Sequence, residues 1–206
     1  MLLERPSTLV YVSIAFILYK LLTRIITDRL TNKFDFYQPV EQAGLQKGYS
    51  TIDHLQVIHM LIEKTTEYSI PLYMAFVDYE KAFDSIETWA ILAALNKARI
   101  DSRYTSLVQH IYENAMFHVN IGDEMIKEKI PIKRGVRQGD TISPKLFTLA
   151  LEGVFKNMSW DEKGINIDST YLNHLRFADD IVLISSDPEE LKVMIGQLYE
   201  KSMRVG

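Results

Sequence analysis

Leu172-Asn173-His174-Leu175-Arg176-Phe177-Ala178-Asp179-Asp180-Ile181-Val182-Leu183-Ile184-Ser185 is a pair of apolar runs meeting at two neighbouring acids. Residues 172–177 and 181–185 read as strands, and Ala178-Asp179 reads as the tight turn between them, so the stretch is an antiparallel hairpin. Two adjacent carboxylates at the tip of an apolar hairpin repel each other, and partial burial sharpens the repulsion. A divalent cation relieves it. An ordinary turn also accepts Asp-Asp, because Asp favours turns. The doublet gains meaning only from what surrounds it.

A second apolar run ends in the same way. Leu72–Asp78 is short, follows Pro71 and closes on a carboxylate, which suits a buried strand. If Asp78 and the hairpin tip are neighbours in one sheet, three carboxylates converge. Oxygen-only ligands with no histidine or cysteine in the set select Mg²⁺ or Mn²⁺ over zinc. Three acids suffice to hold two ions about 3.5–4 Å apart, the arrangement that serves in-line phosphoryl displacement.

Between these strands lies the most basic part of the chain. From Ile126 to Lys145 there are six basic residues (Lys127, Lys129, Lys133, Arg134, Arg137, Lys145) against Glu128 and Asp140. The loop carries Gly135 and Gly139 and runs into Ser143-Pro144, a cap-and-proline helix start. Backbone N–H groups at a helix start favour anions, and glycine admits a phosphate or base pair close to the backbone.

The remaining elements alternate in type. The spacing predicts helices over about Thr8–Leu30 (Leu18, Leu21, Leu22, Ile25, Ile26 inward), from Thr51 (Leu55, Ile58, Leu61, Ile62), from an Asp84/Glu87 capping pair to about Ala98, and along Tyr104–Tyr112. Residues 31–50 read as loop. His118–Ile121 and Met125–Ile132 read as a hairpin about Gly122-Asp123. Leu146, Leu149, Ala150, Val154 and Phe155 mark the inner face of the helix after Pro144, and Asp187-Pro188 opens a last helix. Helices mixed with hairpin-linked strands make the class α+β rather than a doubly wound sheet.

Composition bounds the rest. With 206 residues, 47% hydrophobic and 24% charged, the chain can bury a full core, which excludes long disorder. It has no cysteine, which excludes a disulfide scaffold, a thiolate zinc site and a cysteine nucleophile. A net charge of −4 means that any polyanion is met by a local patch rather than by a basic protein. Ser7–Tyr19 is apolar and uncharged, but its thirteen residues fall short of the about 20 that span a bilayer, so it reads as a buried helix with no membrane partner, an uncleaved anchor being the less favoured alternative.

Taken in order, Phe-Val-Asp-Tyr-Glu-Lys-Ala-Phe-Asp (76–84), Arg-Gly-Val-Arg-Gln-Gly-Asp-Thr-Ile-Ser-Pro (134–144) and Phe-Ala-Asp-Asp (177–180) resemble the palm motifs of non-LTR (LINE-type) retrotransposon reverse transcriptases. Glu-Gln-Ala-Gly-Leu-Gln-Lys-Gly-Tyr-Ser-Thr-Ile-Asp-His (41–54) resembles their fingers motif. The resemblance implies a right-hand polymerase: a fingers-like, partly helical region over 1–70 and a palm over 71–206, its antiparallel sheet backed by helices on one face. It implies RNA-directed DNA polymerase activity with an RNA template, a DNA primer, dNTPs and two Mg²⁺ or Mn²⁺ ions, inside the cell. By position, Asp78, Asp179 and Asp180 are the implied catalytic and metal-holding acids, helped by the backbone carbonyl of Tyr79. Phe83 matches the aromatic that selects deoxynucleotides, Gln138 and Gly139 line the nucleotide, and Arg134 and Arg137 lie near template or triphosphate. Where the family reads Gly-Phe-Arg this chain has Gly44-Leu45-Gln46, which leaves Lys47 as the nearby cation. The family continues past the equivalent of Gly206 into a thumb, so the expectation is a palm with the thumb missing. The alternative is an inactive remnant that at most binds nucleic acid.

Overall fold

The computed structural model describes residues 6–121, 124–137 and 139–206. Its elements run α1 (Pro6–Tyr37), α2 (Thr51–Glu67), β1 (Tyr73–Val77), α3 (Ala82–Ser85), α4 (Thr88–Lys97), α5 (Ser102–Glu113), β2 (Met116–Ile121), β3 (Glu124–Pro131), α6 (Ser143–Phe155), β4 (Ile165–Ile167), β5 (Thr170–Leu172), β6 (His174–Phe177), β7 (Asp180–Ser185) and α7 (Pro188–Ser202). The class is α+β.

The sheet that matters has the order β1-β7-β6, antiparallel throughout, with Tyr73 opposite Ser185, Val77 opposite Ile181 and Phe177 opposite Asp180. Strand alternation divides its side chains. Ala75, Val77, Ile181 and Leu183 join the main core, which α4, α5, α6 and α7 supply. Met74, Leu175, Val182 and Ile184 face the other way, where Leu61 of α2 and Ile165 of β4 cover them. That second cover is partial, and Phe76 on the same face remains 76% exposed.

Helix α6 is the central strut. Leu146, Leu149, Ala150, Val154 and Phe155 are all buried, and the helix packs on α4, α7 and α1. Full burial of a leucine contributes about 1.5–3 kcal/mol, so this stripe alone is a large share of the core. Inside it, Arg176 of β6 donates to Glu152 of α6 at 2.7 Å, with both side chains essentially inaccessible. The Arg176 guanidinium also lies over the Phe155 ring, 4.0 Å from its centroid.

The structure departs from the sequence reading in four places. Helix α1 continues to Tyr37 rather than ending near Leu30, because Ile26, Leu30 and Phe34 form one buried row and Lys145 pairs with Asp35. From residue 16 onward, Leu18, Leu21, Leu22 and Ile25 are exposed, and the row one step round, through Thr23, faces inward; the burial expected of residues 7–15 lies outside the described side chains. Asp84 and Glu87 do not cap one helix. Asp84 lies within α3, and the chain then extends at Ile86-Glu87, where Gly135 donates to the Ile86 carbonyl and Glu87 to that of Val205. Finally, Ile142 rather than Ser143 caps α6, and Asn173 divides the predicted strand over 172–177 into β5 and β6. Gly122-Asp123 lies outside the described residues. Among the described residues no helix is long and apolar enough to cross a membrane.

Candidate active site

Strand pairing builds the site. Val77 opposite Ile181 is the last rung of β1 on β7. The chain direction then carries Asp78 off the end of β1 beside Asp180, the first residue of β7. Both acids line one cavity of about 230 Å³, together with Phe76, Val77, Leu175, Phe177, Ile181, Val182 and His54. Asp179 is the outer residue of the turn between β6 and β7. Asp180, exposed, shares the cavity with Asp78, and Asp179, half-buried, sits in the turn just before it.

Among the described residues no three carboxylate, imidazole or thiol groups are placed to hold a metal ion by themselves. The donor chemistry still fits a hard divalent cation. Mg²⁺ is commonly held by one or two carboxylates, with waters and substrate phosphates completing its shell, rather than by an all-protein cage. Two acids on one cavity wall and a third at the turn beside it meet that description.

The turn itself is unusual. Ala178 has φ +58°, in the left-handed region that alanine disfavours. Its N–H donates to Gln42 Oε1 at 2.9 Å, and its carbonyl accepts from Gln42 Nε2 at 3.1 Å. The segment carrying Gln42 lies along β6: Ala43 donates to the Arg176 carbonyl, and Arg176 donates to that of Glu41. The motif quoted from 41–54 thus reaches the acid-bearing hairpin directly. Sequence reasoning missed Gln42, since a glutamine in a loop carries no local signal of a partner 136 residues away. It also missed His54, whose Nε2 is enclosed without a hydrogen-bond partner and whose imidazole is held below its ordinary range by burial.

The other expected residues are distributed as follows. Tyr79 donates to or accepts from Ser202 through its hydroxyl at 2.7 Å, and burial raises that phenol. Phe83 is half-buried and stacks on Phe147 of α6, centroids 4.4 Å apart. Gly139 is exposed at φ +79°, with open space where a Cβ would stand. Gln138 lies outside the described residues. Arg134 is exposed and pairs through its backbone with Glu87. Arg137 is turned inward, its guanidinium over the Tyr19 ring at 4.9 Å and donating to the Ile111 carbonyl at 3.2 Å. Tyr19 in turn donates to the buried Asp140 at 2.7 Å, which ties α1 to the loop before α6. Lys47 is exposed on the loop before α2.

A helix-backed antiparallel sheet with acids at the adjoining ends of two paired strands, β1 and β7, has the architecture of a polymerase palm. The chain superposes on an apo telomerase from Candida tropicalis, truncated from its C-terminal domain, with a TM-score of 0.61 at 18% identity, covering 87% of this chain and 36% of that one. That likeness shows the fold. Residues 7–206 match the family described as reverse transcriptase (RNA-dependent DNA polymerase), and the chain belongs to that family. It is 27% identical over 203 residues to the retrovirus-related Pol polyprotein from the type-2 retrotransposable element R2DM of Drosophila melanogaster, covering 98% of this chain and 19% of the relative. It is 30% identical over 190 residues to a retrovirus-related Pol polyprotein from a type-1 retrotransposable element R2 of Popillia japonica, covering 90% and 26%. These relatives are of the non-LTR type the motifs indicate, and the chain spans about a fifth to a quarter of their length.

Proposed function

We propose that the chain is the fingers (1–70) and palm (71–206) of an RNA-directed DNA polymerase, extending a DNA primer with dNTPs on an RNA template. The observation that carries this reading is the cavity that Asp78 and Asp180 share at the end of paired strands, with Asp179 at the turn beside it.

Asp78, Asp179 and Asp180 hold Mg²⁺ or Mn²⁺ in this reading, with two ions as in other nucleotidyl transfer sites. Bound there, the cations supply an activated primer 3′-hydroxyl and neutralise charge developing on the triphosphate. The chain's own groups do the positioning. Tyr79 offers its backbone carbonyl beside Asp78. Phe83, backed by Phe147, limits room at the sugar. Gln138 and Gly139 line the nucleotide, the glycine allowing close approach of a base pair. Arg134 and Lys47 are exposed cations for phosphate, whereas Arg137 serves by bracing its loop against Tyr19.

RNA-templated primer extension tests the reading. Extension that requires Mg²⁺ or Mn²⁺ and disappears in Asp179→Asn supports it. Binding of an RNA–DNA hybrid without extension in either cation replaces it with the inactive remnant.

A further inference from the structure

The hairpin that carries Asp179 and Asp180 does not specify its own turn. A two-residue turn between antiparallel strands favours Asn-Gly or Asp-Gly, whose first residue tolerates positive φ. Here the two residues are Ala178-Asp179, and Ala178 has φ +58°. An alanine held in that region costs about 1–2 kcal/mol. Like charges on Asp179, Asp180 and Asp78 work against a fixed tip as well.

What the turn lacks, Gln42 provides. Its amide pairs with both main-chain groups of Ala178, accepting from the N–H at 2.9 Å and donating to the carbonyl at 3.1 Å. The orientation of that amide is itself fixed, because Oε1 also accepts from the N–H of Gly44 at 2.9 Å. Gln42 is fully buried, so water does not compete for these bonds. The backbone of Gln42 is secured in turn: Gln46 Nε2 donates to its carbonyl at 2.7 Å. Close approach is possible only because residue 44 is glycine; a Cβ there would stand 2.1 Å from the Ala178 nitrogen. The bond to the Ala178 carbonyl sets the plane of the 178–179 peptide, and that plane sets where the Asp179 side chain departs.

We propose that Gln42 is a positioning residue for the acid doublet, acting through the backbone of Ala178 rather than by touching substrate. What the doublet is positioned for rests on the polymerase reading; how it is held does not. Two substitutions separate the bonds from the bulk. Gln42→Met keeps length and volume and removes both bonds. Gln42→Glu keeps the shape but sets a carboxylate oxygen against the Ala178 carbonyl. Residue-level hydrogen exchange on the full chain is the first readout. In Gln42→Met the Ala178 amide should exchange about tenfold faster or more, while Ile181–Ile184 of β7 keep their protection. Unchanged exchange at Ala178, or protection lost evenly along β7, overturns the proposal.

Primer extension is the second readout. In both variants kcat should fall by about 10²-fold, the size expected for a misplaced catalytic group, with KM for the nucleotide little changed. Adding Ala178→Gly, which frees the left-handed conformation, should restore part of kcat in Gln42→Met. A folded Gln42→Met that retains wild-type kcat, or a double variant with no recovery, overturns the proposal. A wild-type chain that extends nothing sinks the polymerase reading instead, and the exchange result alone then decides how the turn is held.

Discussion

Val77 faces Ile181 across β1 and β7, and this apolar rung is the floor on which Asp78 and Asp180 are brought side by side. The two carboxylates line one cavity, where a single cation would draw on both. Asp180→Asn should leave thermal stability in EDTA within about 1 kcal/mol of the wild type, because both carboxylates are exposed. In the wild type Mg²⁺ should raise Tm, and the substitution should abolish that rise. Thermal melts with and without the cation check both.

The Arg176–Glu152 pair is buried at both ends. Burial pushes the Glu152 carboxyl up and the Arg176 guanidinium down, while their mutual attraction opposes both shifts. Glu152→Gln leaves the guanidinium charge without its counter-ion and should destabilise the chain by about 3 kcal/mol. In a domain of this size that is a fall in Tm of about 10 °C, measurable by calorimetry.

His174 stacks on Phe155 with its Nε2 enclosed and unpartnered, and burial holds its pKa well below the usual imidazole value. The folded chain thus refuses a proton that the unfolded chain accepts below about pH 6.5. Stability should fall as pH drops beneath that value, by at most about 1.4 kcal/mol per pH unit from this group. Denaturant titrations from pH 7 to 5 should show that acid slope, and His174→Phe should flatten it.

Phe83 rests on Phe147, and the two rings make one stacked unit between α3 and α6. If its edge bounds the nucleotide sugar, Phe83→Val should raise ribonucleotide use relative to deoxynucleotide by about tenfold. The same change should cost about 2–3 kcal/mol of stability through the lost stack and cavity. Competition assays with both nucleotide types, run alongside melts, separate the two effects.

Gly44 abuts the Ala178 nitrogen too closely to admit a side chain. Gly44→Ala should destabilise by about 1–3 kcal/mol and reduce extension more than an equal loss of stability made in α5. Matched variants compared at equal fraction folded provide the check.

Local signals carried much of this architecture into the string. The strand–turn–strand about Ala178-Asp179 and the Asp187-Pro188 cap of α7 are visible because each is decided within a few residues; Asp187 indeed accepts from Glu189 N–H. The inner face of α6 was equally legible, since five apolar residues recur at helical spacing. Residues 31–37 were not, because Phe34 is their one buried apolar side chain and the helix there is held by ties to α6, Lys145 to Asp35 and Lys156 over the Tyr37 ring. The acids were legible as a set, but which of them shares a cavity with Asp78 depends on register. Register is a property of β1 and β7 together, which neither strand states alone.

The bond from Gln42 to Ala178 also has a kinetic side. It joins positions 136 apart, so its loop closes only after the intervening strands and helices have been gathered. Contacts of such long sequence separation form late, because the entropy of closing the loop must be met first. A nascent chain would therefore assemble its sheet and helical layer before its acids are locked in place. Severing the polypeptide ahead of β1 would leave a palm whose hairpin tip is never finished.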